Sequence, residues 1–268
     1  MRKYVNSGKF NIVPVLLWTL LALVAGGLIS VGYTFIAHYV PSIWLNLGAL
    51  MGMAVVLAWA VLFCVKQSKS RNKAVNVVMA LVVSLFAWYV SWCTILSVTY
   101  ETSFFWLLVR PGGVVFPVMF DYMNQMQWTF NDSNVSPLMA KFSYLIELLA
   151  FLAPAFLVAA KKLYYCEFCE GFMKPKDHYF IETGLVGEHL DAIKAGDLSF
   201  MEKAETKLGK ASKEVPEQYK LNLHTCPGCQ EKVYNFYHVR MKLKKGKYEP
   251  DNTTALVENI YACRPEEQ

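Results

Sequence analysis

The chain has 268 residues, a formal net charge of +5 and 55% hydrophobic residues, above the roughly 45–50% of ordinary globular domains. Nine of its 26 basic and four of its 21 acidic residues precede Lys161, so an apolar, cationic front part is followed by a polar part without net charge. That division excludes a single water-soluble globule and places the front part in lipid.

Four runs are long and apolar enough to span a bilayer, which takes about 20 residues. They cover residues 12–40, 43–65, 74–98 and 138–160. The first is longer than a bilayer needs, so it tilts or protrudes. It is too long for a signal peptide and shows no small-residue cleavage site before the next span. Basic residues cluster before the first span (Arg2, Lys3, Lys9), between the second and third (Lys66, Lys69, Arg71, Lys73) and after the fourth (Lys161, Lys162), while the turn around Pro41 has none. Cytoplasmic loops carry such an excess. The expectation is a multi-pass protein of the inner (plasma) membrane with both termini cytoplasmic.

The spans carry helix-packing signals. Ala22, Gly26 and Ser30 form a small-residue ladder in the first, and Gly48 and Gly52 a G-x-x-x-G in the second. In the third, Asn76, Ala80, Ser84, Ala87, Ser91 and Thr94 share one helical face. Small residues let helices approach and hydroxyls bond across the contact. Two readings stand: packing within one bundle, or an interface between protomers or a wetted face.

The segment between the third and fourth spans, about 104–130, is aromatic-rich and broken by Arg110-Pro111-Gly112-Gly113. Its apolar pieces are too short to cross, so it is read as interfacial or re-entrant. In the fourth span, Glu147 sits near the middle, where an ionisable group costs a few kcal/mol unless paired or wetted. Tyr144, one turn away, is a candidate partner. Glu147, with Arg110, Asp121 and Lys141, makes the set of pore or sensor candidates. The structural alternative for Glu147 is a neutral carboxyl tying two helices together.

Residues 1–162 are thus read as a four-helix transmembrane domain and 163–268 as a cytoplasmic domain. The latter begins with Cys166-x-x-Cys169, matched by Cys226-Pro-Gly-Cys229. Paired C-x-x-C motifs in a reducing compartment indicate a structural zinc site. Four thiolates close the tetrahedron and leave no position for chemistry. His224 and Cys263 are spare. The Cys-Pro-Gly-Cys knuckle is similar to those of zinc ribbons, although 56 residues separate the pairs here against roughly 15–20 in a ribbon. The expected fold is therefore a small α+β, zinc-ribbon-like domain with a helical insertion at about 185–210, where Leu190, Ile193, Met201, Ala204 and Leu208 follow helical spacing.

DHYFIETG reads as a strand. VYNFYHVRMKLKKGKYEP reads as a hairpin turning at Lys245-Gly246, and ALVENIYAC as a third strand. Arg240, Lys242 and Lys244 alternate along the hairpin, with Lys245 and Lys247 at its turn. They are candidates for phosphates or lipid head groups, or lysines guarding a sheet edge.

The sequence contains neither G-x-x-x-x-G-K-[ST] nor G-x-G-x-x-G, and neither H-E-x-x-H nor G-x-S-x-G, so no enzyme is expected. The plan resembles that of membrane effectors in bacterial anti-phage systems, in which a bundle carries a small cytosolic sensor. That resemblance implies a homo-oligomer whose zinc-bound domain senses a cytosolic protein or nucleotide and controls an ion-conducting or membrane-permeabilising bundle. The alternative is a membrane-anchored adaptor whose ribbon docks a cytosolic protein or nucleic acid, nucleic acid being the less favoured because the domain is neutral overall.

Overall fold

The computed structural model describes residues 2–4, 6–40, 42–125, 129–130, 133–134, 137–181, 191, 207–208, 217–244 and 247–262. Two compact units emerge: Gly8–Lys161, and Met1–Ser7 together with Lys162–Gln268.

After a two-residue strand, β1 (Arg2–Lys3), the bundle begins with α1 (Ile12–Tyr39), α2 (Ile43–Gln67) and α3 (Lys73–Thr99). Each starts where a polar side chain caps it: Asn11 accepts from Val13 N–H, Ser42 from Leu45 N–H, and Asn72 from both Ala74 and Val75 N–H. Such caps satisfy donors that the first helical turn cannot pair. Then come α4 (Phe104–Leu108), a π-helical turn (Pro111–Val115), α5 (Phe116–Gln125), a short hairpin of β2 (Thr129–Phe130) and β3 (Ser133–Asn134), and α6 (Pro137–Ala160). The helix α6 continues through Pro154. Four helices are long and apolar enough to cross a membrane: α1, α2, α3 and the Lys141–Ala160 part of α6. The chain is therefore a multi-pass membrane protein, mostly helical, with a small strand-containing domain.

Helix α1 lies against α2 and α3, and α6 lies against the same two. The cyclic order is thus α1–α2–α6–α3. Close approach is made by small residues. Ala22, Gly26, Ser30 and Thr34 of α1 are buried, as are Ala80, Ser84, Ala87 and Ser91 of α3. A Cβ on Gly26 would lie 3.3 Å from Val83, 3.4 Å from Leu57 and 3.5 Å from Ala87. Three helices converge there, which is why that position lacks a side chain. Thr34 Oγ1 and Ser91 Oγ share a hydrogen bond of 2.8 Å across the α1–α3 contact.

The 104–125 segment folds onto α3. The Tyr89 hydroxyl lies 2.9 Å from the Leu107 carbonyl and 3.0 Å from that of Leu108. Leu107, Val115, Met119 and Tyr122 join Trp92, Cys93 and Leu96 in one buried cluster. Phe105, Val109 and Phe120 are exposed.

The second unit contains β4 (Tyr165–Cys166) paired with β5 (Gly171–Phe172), then β6 (Lys174–Ile181), β7 (Lys207–Leu208), β8 (Glu217–Thr225), β9 (Lys232–Lys244) and β10 (Lys247–Ala262). The antiparallel sheet runs β1-β10-β9-β8-β6-β7. Leu221 and its cross-strand partner Phe236 are buried on one face of the sheet, and Val233 and Val239 on the other. The β9–β10 hairpin closes as Lys244 pairs with Lys247. ALVENIYAC, expected as a separate strand, instead continues β10, bent by register shifts after Pro250, Ala255 and Val257. Most of the expected insertion at 185–210 lies outside the described residues. Leu208, read there as helical, pairs with Tyr179 in strand β7. Helical apolar spacing and a strand contact are compatible in so short a stretch, and the pairing prevails.

Candidate metal centre

Each cysteine pair sits on a tight turn between strands. In the first, Cys166 pairs with Gly171, and Met173 N–H donates to the Tyr164 carbonyl at 2.8 Å. In the second, Cys226 N–H donates to the Glu231 carbonyl at 2.8 Å and Gln230 N–H to the Cys226 carbonyl at 3.1 Å. The residue after each second cysteine is left-handed: Glu170 at φ 48° and Gln230 at φ 62°. These turns re-aim the chain so that both sulfurs of a pair point the same way.

The four sulfurs, of Cys166, Cys169, Cys226 and Cys229, lie within 4.8 Å of one another. Cys166 and Cys229 are 3.4 Å apart, Sγ to Sγ, and all four are free thiols. Sulfurs at about 2.3 Å from one tetrahedral ion would be about 3.8 Å apart, so the donor set fits a single ion with small movements. Three of the four are buried and Cys169 is exposed. Burial pushes the Cys166 thiol well up and Cys229 up to about 11. Burial also raises Cys226, but the Cys229 and Gly228 N–H groups bond its sulfur and carry it down to about 7. A bound cation favours every thiolate in such a cluster. Gly228 completes the close fit: a Cβ there would stand 2.7 Å from Cys169 Sγ. His224 lies outside the sulfur cluster, its ring 4.4 Å from that of Tyr164. Cys263 is outside the described residues.

A polar clasp adjoins the metal centre. Asn235 Nδ2 donates to the Tyr164 hydroxyl oxygen at 2.9 Å, and Tyr164 O–H donates to Asn259 Oδ1 at 3.0 Å. Asn259 N–H donates to Asn235 Oδ1 at 2.9 Å. Asn259 is itself left-handed, at φ 64°, at the bend of β10. Lys162 Nζ bonds Glu258 at 2.8 Å, and burial followed by the Glu258 charge pushes the Tyr237 hydroxyl up to about 12. None of these residues forms a recognisable sequence pattern; only the folded register assembles them.

In the bundle, Glu147 is half-buried and bonds the Tyr33 hydroxyl of α1. Tyr33 in turn packs against Phe151 at 5.9 Å. The expected partner, Tyr144, has its ring against Trp92 at 5.3 Å. Lys141, Arg110 and Asp121 are exposed, with the Arg110 guanidinium 4.6 Å over the Trp106 ring. Gly26 and Ser84 are in the bundle interior. Gly48 and Gly52 face open space, with nothing within 4 Å of a Cβ at either.

The basic stripe has acidic neighbours. Arg240 is opposite Glu217, Lys242 is opposite Glu249, and Lys244 Nζ lies 3.6 Å from Glu249. Lys247 opens β10 opposite Lys244, and Lys245 is outside the described residues. No family description, curated protein or solved structure matches the chain.

Proposed function

We propose that the chain is a membrane effector in which a zinc-clamped, cytoplasmic sensing unit controls the permeability of the four-helix bundle. Supporting this most directly, the chain passes between the two units twice, at Ser7–Gly8 and at Lys161–Lys162, just before α1 and just after α6. Both crossings start from secured structure: β1 is paired into the sheet, and Tyr165 and Cys166 belong to the metal-centre hairpin. A sensor joined to two helices by short connections can bias both of them, whereas a docking module needs only one flexible tether.

Zinc suits four thiolates better than the hard cations, which take oxygen ligands. When bound it supplies structural stabilisation, and the thiolates of Cys166, Cys169, Cys226 and Cys229 hold it. The unit receives a cytosolic protein or nucleotide signal, and the assembly is a homo-oligomer, consistent with the plan of anti-phage membrane effectors that it resembles. Glu147 is the polar group within the conducting part.

The test is a double insertion of flexible Gly-Ser segments, one after Ser7 and one after Lys161. Loss of toxicity on expression, with metal content and bundle folding retained, is the expected result. Full toxicity with both insertions would contradict the reading. The membrane-anchored adaptor is the second reading; it predicts that function survives replacement of all four spans by an unrelated anchor.

A further inference from the structure

The second knuckle carries a carboxylate as well as two cysteines. Glu231 follows Cys229 by two residues, and its own carbonyl accepts from Cys226 N–H at 2.8 Å, so its backbone is fixed to the turn that presents those sulfurs. Its side chain reaches the first knuckle: Cys166 Sγ donates to Glu231 Oε2 at 3.2 Å. The carboxylates of the first knuckle, Glu167 and Glu170, are exposed, whereas Glu231 is half-buried. An oxygen at about 2.1 Å and a sulfur at about 2.3 Å from one tetrahedral ion are about 3.6 Å apart. The Glu231–Cys166 distance is a little under that, just as the 3.4 Å between Cys166 and Cys229 is a little under the about 3.8 Å of two sulfurs on one ion. The Glu231 oxygen thus stands from Cys166 as one donor of an ion stands from another.

We propose that Glu231 is a fifth donor of the metal centre, which takes the place of Cys169 when that thiolate is withdrawn. The inference rests on the reading of the cysteine cluster as a metal site. The donors that lie within 4.8 Å of one another are the four sulfurs, so Glu231 flanks a complete set and enters it when a vertex is vacated. Cys169 is the vertex that can be vacated: it is exposed, and the other three cysteines are buried. A carboxylate oxygen is an ordinary zinc ligand, and a tetrahedral shell holds four donors at a time. Like charges that close repel, which keeps the carboxylate outside a full set of thiolates and draws it in when one leaves. The exchange makes and breaks only coordinate bonds: the Cys169 thiolate departs with its electron pair and a lone pair of a Glu231 oxygen replaces it. The consequence is a surface thiolate that an alkylating electrophile can take, a carbon–sulfur bond forming as the leaving group departs, while the ion and the sheet it secures remain.

The experiment uses the full chain in detergent, loaded with cobalt(II) in place of zinc and dialysed. Elemental analysis gives metal per chain, the sulfur-to-cobalt charge-transfer absorption counts thiolates, and competition with a chelator gives affinity. Wild type and Glu231→Gln are expected to hold one ion with the same absorption. Cys169→Ala should keep its ion while the absorption falls by about a quarter, one thiolate in four. Adding Glu231→Gln to Cys169→Ala should lower affinity by about tenfold or more, and adding Glu167→Gln instead should not. Equal affinity of Cys169→Ala with and without Glu231→Gln means that water completes the shell and overturns the proposal; so does loss of the ion from Cys169→Ala alone. Gly228→Ala is a different case, because a side chain there stands in the turn that carries Cys226 and Cys229, 3.9 Å from Cys226 Sγ, and disturbs more than one ligand. Should the Cys169 variants fail to fold, iodoacetamide applied to loaded wild type and Glu231→Gln takes their place. The ion should then leave Glu231→Gln severalfold faster than wild type, and equal rates overturn the proposal. A wild-type chain that binds no ion overturns the metal centre itself as well.

Discussion

The Tyr4 hydroxyl brackets the backbone of Tyr165, accepting from its N–H at 2.8 Å and donating to its carbonyl at 3.2 Å. Tyr4 N–H also donates to the Asn259 carbonyl at 2.6 Å, and its ring meets that of Tyr164 edge-on at 5.3 Å. The segment that precedes α1 is thereby bonded to the segment that follows α6. Replacing Tyr4 by Phe keeps the ring contact and removes both hydroxyl bonds, so the part-buried backbone N–H and carbonyl of Tyr165 each have one bond fewer. A loss of about 1–3 kcal/mol is expected, read as a lowered thermal midpoint of the strand-containing unit. An unchanged midpoint would mean that water replaces the hydroxyl without cost.

The metal centre tolerates no side chain at position 228. Gly228→Ala places a Cβ against the Cys169 sulfur and must displace that ligand or the turn that presents Cys226. Bound metal per chain should fall below one, measured by elemental analysis after dialysis. Gly112→Ala, at a position with open space around it, is the control and should retain full metal.

Acid should release the metal. Protons compete with the ion for each thiolate, so affinity falls as pH falls, and the sheet unit should lose its stability in step with metal content. Removing the bound metal by chelation at neutral pH should have the same structural effect, since a structural zinc, the ion proposed above, contributes on the order of 10 kcal/mol. Circular dichroism of the strand signal, followed with and without chelator, checks this. A sheet that melts at the same temperature in both states would make the metal incidental.

The two small-residue motifs of the spans should behave oppositely. Gly26→Val forces a branched side chain between Val83, Leu57 and Ala87, and overpacking of this kind costs about 1–3 kcal/mol. Gly48→Val and Gly52→Val meet open space and should leave the folded protomer intact. Thermal stability in detergent separates them. If Gly48→Val instead alters the oligomer detected by cross-linking, the open G-x-x-x-G face is where copies meet.

How far these features could be read from the residues differs by element, for physical reasons. Four apolar runs and two C-x-x-C knuckles were legible because length and spacing alone carry them, and helix ends fell within a few residues of the expected limits. Strand β8 was missed although its burial alternates, because Tyr219, Lys220, Asn222 and His224 give EQYKLNLHT a polar look. Strand β1 has two residues, both cationic, which suggest a membrane-flanking charge rather than a sheet edge. Lys162, read from the sequence as one of the basic residues flanking the fourth span, is held by Glu258. Pro250 and the bends of β10 divided one strand into two apparent pieces. The Tyr33–Glu147 bond joins the first span to the last, a pairing that no local pattern encodes, so the nearer Tyr144 attracted the expectation.

Whether the metal-clamped unit governs the bundle is tested most directly by flux through the full chain in vesicles, measured while the bound metal is removed by chelator and then restored. The account predicts a severalfold change in rate that tracks bound metal, reverses on reloading, and disappears when flexible segments are inserted after both Ser7 and Lys161. The same rate in the loaded and stripped protein, with the loss of metal verified, would contradict it.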